Sequence, residues 1–148
     1  VPLFISHYPS KVFINLTLPK LSLNLFENMK EKILLYDDDK EILNLCKIIL
    51  AKYGFESETR TECDNIFKDI ETIEPNLILM DLWIPGIGGE KAIVLLKQNE
   101  KTKDIPVLVF SANTDTKEIC DKIKADGFVE KPFSIPTFIE TIRGHLVK

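Results

Sequence analysis

The sequence is poor in the residue types that disulfide scaffolds, thiolate metal sites and histidine-based catalysis require. Among 148 residues there are three cysteines and two histidines. Cys46, Cys63 and Cys120 are widely spaced and fit neither a disulfide framework nor a CxxC metal site, so we expect buried or half-buried thiols in a reducing cytosol. His7 lies near the start of the chain and His145 in the last predicted helix. Neither histidine is placed for catalysis.

The sequence also lacks a long hydrophobic run and an excess of positive charge. A membrane helix needs about 18 consecutive apolar residues, and no segment comes close. The 19 basic residues against 23 acidic ones give a net charge of −4, which argues against binding to nucleic acid or to anionic membranes. A hydrophobic content of 45% with 28% charged residues is typical of one soluble globular domain.

Residues 1–28 differ from the rest of the chain. They read VPLFISHYPSKVFINLTLPKLSLNLFEN, do not begin with Met, and mix three prolines with short hydrophobic groups without a sustained period. The features of a secretory signal are missing. We interpret this segment as an expression leader or translated upstream sequence, with Met29 as the natural start and residues 29–148 as the domain. The alternative is a genuine extension that packs its Leu and Phe residues on the domain or on a neighbouring chain.

From Met29 onward, strand-like and helix-like segments alternate. Hydrophobic runs suited to buried parallel strands occur at residues 33–36, 77–80 and 107–110, with weaker candidates near 55–59 and 128–129. Between them, apolar residues recur at helical spacing. Examples are Ile42, Leu45, Cys46 and Ile49, and then Ile66, Phe67, Ile70 and Ile73. The pattern predicts an α/β fold with one doubly wound, five-stranded parallel sheet and helices on both faces.

Residues at the predicted helix ends agree with this alternation. Asp39 is a suitable N-cap for the first helix, and Gly54 is placed to end it. Ser134 followed by Pro136 is a typical start for the last helix.

Polar side chains follow the predicted strands at the end where such sheets bind ligands. Asp37, Asp38 and Asp39 follow the first strand, Asp81 the third, Ser111 the fourth and Lys131 the fifth. Converging carboxylates repel, by about 4 kcal/mol for each pair at about 4 Å and an effective dielectric constant near 20. A divalent cation would remove that repulsion, and oxygen ligands favour Mg²⁺ over Zn²⁺.

These residue types together suit phosphoryl transfer. A carboxylate beside Mg²⁺, such as that of Asp81, can attack phosphorus and form an aspartyl phosphate. The Lys131 ammonium and the Ser111 hydroxyl can then stabilise the charge on the phosphoryl oxygens.

Four segments resemble the hallmark segments of the response-regulator receiver family, in the same order. They are ILLYDDDKEI, LILMDLWIPGIGG, VLVFSAN and GFVEKPF, and the resemblance extends from Lys30 to Lys148. Counted from Asp81, Pro85 lies at +4, Gly89 at +8, Ser111 at +30 and Lys131 at +50. The joint spacing is far more specific than any one motif. The resemblance implies a flavodoxin-like (βα)5 fold with strand order 2-1-3-4-5.

The resemblance also implies roles for individual residues. Asp81 would be the phosphoacceptor, Asp38 a direct Mg²⁺ ligand and Asp37 a ligand acting through water, with the backbone carbonyl of Trp83 as a further ligand.

Further roles follow from the same resemblance. Ser111 and Lys131 would contact the phosphoryl group, and a cis peptide is expected between Lys131 and Pro132. Phe128 occupies the position of a switch aromatic that rotates inward as Ser111 moves; it could also be simple core packing.

Two departures from the family pattern lie beside Asp81. Trp83 places a large ring at the mouth of the site, and we hypothesise that it slows spontaneous dephosphorylation; it could equally anchor a partner. Gly86 and Gly88 predict an unusually mobile loop.

The favoured function is a cytoplasmic signalling switch. It would be phosphorylated by a histidine kinase or phosphotransfer protein and would signal to an unidentified downstream protein, as a monomer or a phosphorylation-dependent dimer. Catalysis would be limited to its own phosphorylation and dephosphorylation. Since no output segment follows before Lys148, we expect a stand-alone receiver. Alternatives are a receiver fragment of a longer response regulator or hybrid kinase, a Mg²⁺-dependent phosphohydrolase, or a scaffold with a vestigial site. A phosphohydrolase of this chemistry would be expected to carry its nucleophile at the first strand and a cap domain.

Overall fold

Five strands and five helices alternate along the residues that the computed structural model describes, which are 29–112 and 114–146. They are β1 (Lys32–Tyr36), α1 (Lys40–Lys52), β2 (Glu56–Arg60), α2 (Ile66–Ile73), β3 (Leu77–Met80), α3 (Gly89–Gln98), β4 (Val107–Ser111), α4 (Thr116–Ile123), β5 (Gly127–Glu130) and α5 (Ile135–His145). The interpretation of residues 1–28 as a leader falls outside the described residues.

The strands form one parallel sheet in the order β2-β1-β3-β4-β5. This is the flavodoxin-like (βα)5 architecture predicted above, and the prediction is confirmed. Every residue of β3 and β4 is buried, because helices cover both faces of the sheet. Central strands of this kind need hydrophobic side chains on both sides, which explains their continuous apolar runs.

Successive strand residues point to opposite faces of the sheet and so contribute to two separate hydrophobic cores. One core lies between the sheet and α2, α3 and α4, and includes Leu34, Ile78 and Val109. The other lies under α1 and α5 and includes Leu35 and Leu79. Cysteine side chains belong to both cores, and all three are buried and free, as expected.

The predicted helix boundaries are confirmed. The Asp39 carboxylate accepts hydrogen bonds from the backbone N–H groups of Glu41 at 2.9 Å and Ile42 at 3.3 Å, which caps α1. Gly54 follows α1 with φ of 88°, a conformation that favours glycine. At α5 the Ser134 hydroxyl accepts from Thr137 N–H at 3.2 Å.

Some details differ from the prediction. Strand β2 begins at Glu56 and ends at Arg60, and Ser111 is the last residue of β4 rather than the first after it. Leu45 and Phe67 are exposed, although their spacing predicted a buried face. The buried stripe of α1 instead runs through Leu43, Cys46, Ile49 and Leu50. None of the helices within the described residues combines the length and the apolarity needed to cross a membrane.

Candidate functional site

The carboxyl ends of the neighbouring strands β1 and β3 bring three acidic side chains together. Tyr36 and Met80 are partners in the sheet, so Asp37 and Asp81 follow at adjacent positions. One carboxylate oxygen from each of Asp37, Asp38 and Asp81 lies within 4.8 Å of the others. Of the acids predicted at the strand ends, the structure thus brings Asp37, Asp38 and Asp81 together, while Asp39 caps α1.

Asp37 is held from three sides. It is 1% exposed, and its backbone N–H donates to the Arg60 carbonyl at 3.1 Å. One carboxylate oxygen accepts from Asp39 N–H at 2.9 Å, and the other pairs with the Lys131 ammonium. Asp38 beside it is exposed. The pair therefore combines one fixed carboxylate with one that faces solvent.

Asp81 lies just after β3 and is 6% exposed. Its backbone N–H donates to the Tyr36 carbonyl at 2.9 Å, and its carboxylate accepts from Trp83 N–H at 3.3 Å. Burial raises the pKa of the Asp81 carboxyl group, and the Asp37 charge raises it further, whereas Lys131 opposes the rise. Positive charge nearby therefore favours the ionised form of Asp81.

Lys131 supplies one such charge. Besides its contact with Asp37, its Nζ lies 3.8 Å from Asp81 Oδ2 and 4.4 Å from the centre of the buried Phe110 ring. Its backbone N–H donates to the Ser111 carbonyl at 2.9 Å, and the peptide to Pro132 is cis, as the resemblance implied. One ammonium facing three carboxylates leaves negative charge uncompensated.

The donor set fits Mg²⁺. Carboxylate oxygens are the ligands that this ion prefers, and the exposure of Asp38 leaves room for the waters that Mg²⁺ retains. The carbonyl of Trp83, at the start of the loop after Asp81, stays a predicted further ligand.

The two predicted switch residues lie on β4, which is next to β3, and on β5, at the edge of the sheet. Ser111 ends β4 and is fully buried, opposite Glu130 in the sheet register. Phe128 lies in β5, is half-buried and packs against the core under α2, α3 and α4. Their movement stays a prediction.

The loop after Asp81 has contacts that no motif indicated. The backbone N–H of Cys63 donates to the Pro85 carbonyl at 3.2 Å, and the Cys63 thiol lies 3.6 Å from the same oxygen. Gly86 and Gly88 have φ of 101° and 87°, which explains glycine there. These contacts join residues 22 positions apart, so sequence periodicity could not reveal them.

Trp83 lies at the start of this loop and is 75% exposed. It borders a groove of about 680 Å³ with an apolar floor that includes Ile84, Ile87 and Val94. The ring is therefore accessible both to water and to a partner.

The chain is thus a doubly wound α/β domain with an acidic cluster and a lysine at the carboxyl edge of its sheet. Residues 33–143 match the profile of the response regulator receiver domain. The chain belongs to the response regulator receiver domain family.

Individual relatives agree with this assignment. The DNA-binding response regulator MtrA of Mycolicibacterium smegmatis is 26% identical over 122 residues, covering 81% of this chain and 52% of MtrA. The phosphate regulon transcriptional regulatory protein PhoB of Klebsiella pneumoniae is 29% identical over 117 residues, covering 78% of this chain and 51% of PhoB. The chain spans about half the length of these curated relatives. The structure of the chemotaxis response regulator CheY4 of Vibrio cholerae is similar with a TM-score of 0.73 at 22% identity, covering 80% of this chain and 100% of CheY4, which shows the shared fold.

Proposed function

We propose that this domain is the phosphoacceptor switch of a two-component system, with Asp81 as the residue that is phosphorylated. The proposal is carried by one observation: the Lys131 ammonium pairs with Asp37 and lies 3.8 Å from Asp81, beside three clustered carboxylates. That arrangement suits a phosphoryl group that arrives with Mg²⁺.

Asp37, Asp38, Asp81 and the Trp83 carbonyl are the groups we propose to hold the ion. When bound, Mg²⁺ would neutralise part of the carboxylate charge and polarise the phosphoryl oxygens. The exposed Asp38 gives the ion a route of entry from solvent.

The chain's own residues then perform the transfer. An Asp81 carboxylate oxygen forms a bond to phosphorus while the bond from phosphorus to the donor's imidazole nitrogen breaks, and the imidazole keeps that electron pair. Lys131 attracts the phosphoryl oxygens, and the Ser111 hydroxyl donates a hydrogen bond to one of them. Because the nucleophile must be ionised, the reaction should slow once the pH is low enough to protonate the Asp81 carboxylate.

The phosphoryl group would bias a two-state equilibrium of Ser111 and Phe128, and with them the face formed by α4, β5 and α5. A coupling free energy of about 1–3 kcal/mol is sufficient for such a switch. The domain would be cytoplasmic, its phosphoryl donor would be a histidine kinase or phosphotransfer protein, and a second protein would receive the signal. The domain would act as a monomer or a phosphorylation-dependent dimer and would catalyse only its own phosphorylation and dephosphorylation.

The similarity to longer regulators raises the question of what kind of molecule this domain signals to. MtrA is named a DNA-binding protein, but this chain matches only about half of it and carries a net charge of −4. We therefore propose a protein partner, with no direct contact to nucleic acid by this domain. A stand-alone receiver and a receiver within a longer regulator or hybrid kinase remain the two forms to compare.

Intact mass after incubation with acetyl phosphate tests the proposal. With Mg²⁺ the wild-type chain should gain one phosphoryl group, and with a chelator none. Asp81→Asn should gain none under either condition, whereas the exposed control Asp104→Asn should match the wild type. Wild-type protein without added mass, or an Asp81→Asn variant that still gains it, refutes the assignment.

Two further measurements separate the alternatives. Turnover of a phosphomonoester by the pure chain would support the phosphohydrolase. Beryllofluoride binding that depends on Mg²⁺ and Asp81 would exclude a scaffold with a vestigial site.

A further inference from the structure

Tyr36, the last residue of β1, and the following Asp37 belong to a closed ring of contacts with two residues from neighbouring elements. The Tyr36 hydroxyl donates to one oxygen of Asp69 at 2.8 Å, and Arg60 Nε donates to the other at 3.1 Å. The Arg60 carbonyl accepts the backbone N–H of Asp37 at 3.1 Å. Asp37 is joined covalently to Tyr36, which closes the ring. We call Tyr36, Arg60 and Asp69 the Asp69 ring.

The ring lies in protected surroundings. Tyr36 is fully buried, and the Asp69 and Arg60 side chains are 15% and 35% exposed. Burial, together with the hydrogen bond to the Asp69 carboxylate, raises the pKa of the Tyr36 hydroxyl. Tyr36 therefore remains a hydrogen-bond donor throughout the physiological pH range.

The position of the ring matters because β2 is an edge strand. One side of β1 pairs with β2, and the other side pairs with β3, beyond which the sheet continues through β4 and β5. Beyond β2, the described residues provide no further strand to support this edge of the sheet. The Arg60 side chain, held by Asp69 in the first turn of α2, links this edge to a helix instead.

Tyr36 is also connected to the phosphoacceptor. Its carbonyl accepts the backbone N–H of Asp81 at 2.9 Å, while its hydroxyl is held by Asp69. A shift of Tyr36 would therefore displace Asp37 through the chain and Asp81 through this hydrogen bond.

We infer that Tyr36, Arg60 and Asp69 are positioning residues that hold the Asp37 and Asp38 pair in the geometry for binding Mg²⁺. The inference rests on the proposed function, since it concerns the same metal site. Groups that orient the ligands of a metal commonly affect its affinity about 10- to 100-fold, and the ring acts one step further away. We expect a loss of about 3- to 10-fold in Mg²⁺ affinity when the ring is opened.

The test is a calorimetric Mg²⁺ titration of the purified full chain, with the melting temperature measured in parallel without Mg²⁺. Tyr36→Phe removes one hydroxyl at nearly constant volume, and Arg60→Gln opens the ring at its partly exposed corner. Tyr53→Phe removes a hydroxyl from a tyrosine at the end of α1, outside the ring, and is the matched control. Both ring variants should bind Mg²⁺ about 3- to 10-fold more weakly, and the control should equal the wild type. The double variant should lose less Mg²⁺ affinity than the product of the two single-variant losses, because either substitution opens the same ring.

A purely structural role predicts a different result. Ring variants that melt earlier but bind Mg²⁺ with wild-type affinity overturn the inference while leaving the proposed function intact. If Tyr36→Phe does not fold, the affinity of Arg60→Gln decides. A wild-type chain that binds no Mg²⁺ refutes the proposed function itself, and this inference with it.

Discussion

Substitution of Gly89 by alanine should damage both the stability of the domain and its proposed phosphoacceptor site. A Cβ atom at this position, the first residue of α3, would lie 2.1 Å from the Asp81 carbonyl oxygen and 2.7 Å from Leu82 Cα. Ordinary contacts begin near 3.4 Å. Both neighbours are backbone atoms, so no side-chain rotation relieves the overlap. Either α3 or the segment after β3 must move by about 1 Å or more.

The magnitude follows from the size of this overlap. Overpacking of this kind costs about 1–3 kcal/mol, and alanine gains less than about 1 kcal/mol in helix propensity at a helix start. We expect a net loss of about 2 kcal/mol in the free energy of unfolding. For a domain of this size that corresponds to a fall of about 6–10 °C in melting temperature.

Gly144→Ala is the matched control. Gly144 is exposed near the end of α5, and a Cβ atom there would meet nothing within 4 Å. Since alanine is the better helix former, this variant should be about 0.5–1 kcal/mol more stable than the wild type.

Urea unfolding and calorimetry of both glycine variants give the stability change. The rate of phosphorylation by acetyl phosphate, at a temperature where both variants are folded, gives the effect on the site. Gly89→Ala should be phosphorylated more slowly, because the displaced backbone carries Asp81. A Gly89→Ala protein that melts within about 1 °C of the wild type and reacts equally fast would falsify this reasoning.

Two further predictions concern Asp81 and Trp83. Because burial raises the pKa of the Asp81 carboxyl group in the folded state, its ionisation costs stability as the pH rises through that value. Without Mg²⁺, Asp81→Asn should therefore melt above the wild type at neutral pH, and the difference should shrink as the pH is lowered below the raised pKa; a difference that does not change with pH contradicts the prediction. Trp83→Asn should shorten the half-life of the aspartyl phosphate, followed after removal of the donor, if the indole ring hinders the approach of water. An unchanged half-life rejects that role for Trp83.

The strands differed in how well the sequence could predict them. Strands β1, β3 and β4 are buried on both faces, so continuous hydrophobic runs identified them within one residue at each end. Strand β2, with the sequence ESETR, lies at the edge of the sheet and is mostly open to solvent. The hydrophobic pattern is therefore weak there, and the buried Phe55 shifted the predicted strand by one position.

In the site, the sequence predicted which strand ends would meet but not how the surrounding side chains are arranged. The strand-end rule predicted that Asp37, Asp81 and Lys131 would meet, although 94 residues separate the first from the last. The Asp69 ring was beyond sequence reasoning, because it depends on which way three side chains point. Tyr36 appeared as one more hydrophobic strand residue, and Asp69 as one more charge on a helix.

The contact between Cys63 and Pro85 makes the thiol a natural reporter of motion next to Asp81. A fully buried thiol reacts with an alkylating reagent only when the surrounding structure opens, so its labelling rate measures how often this loop lifts. Cys46 and Cys120 are buried in α1 and α4, and serve as internal references for openings elsewhere. Any ligand that closes the loop should slow the alkylation of Cys63 selectively, which allows ligand occupancy to be followed without introducing a probe by mutation.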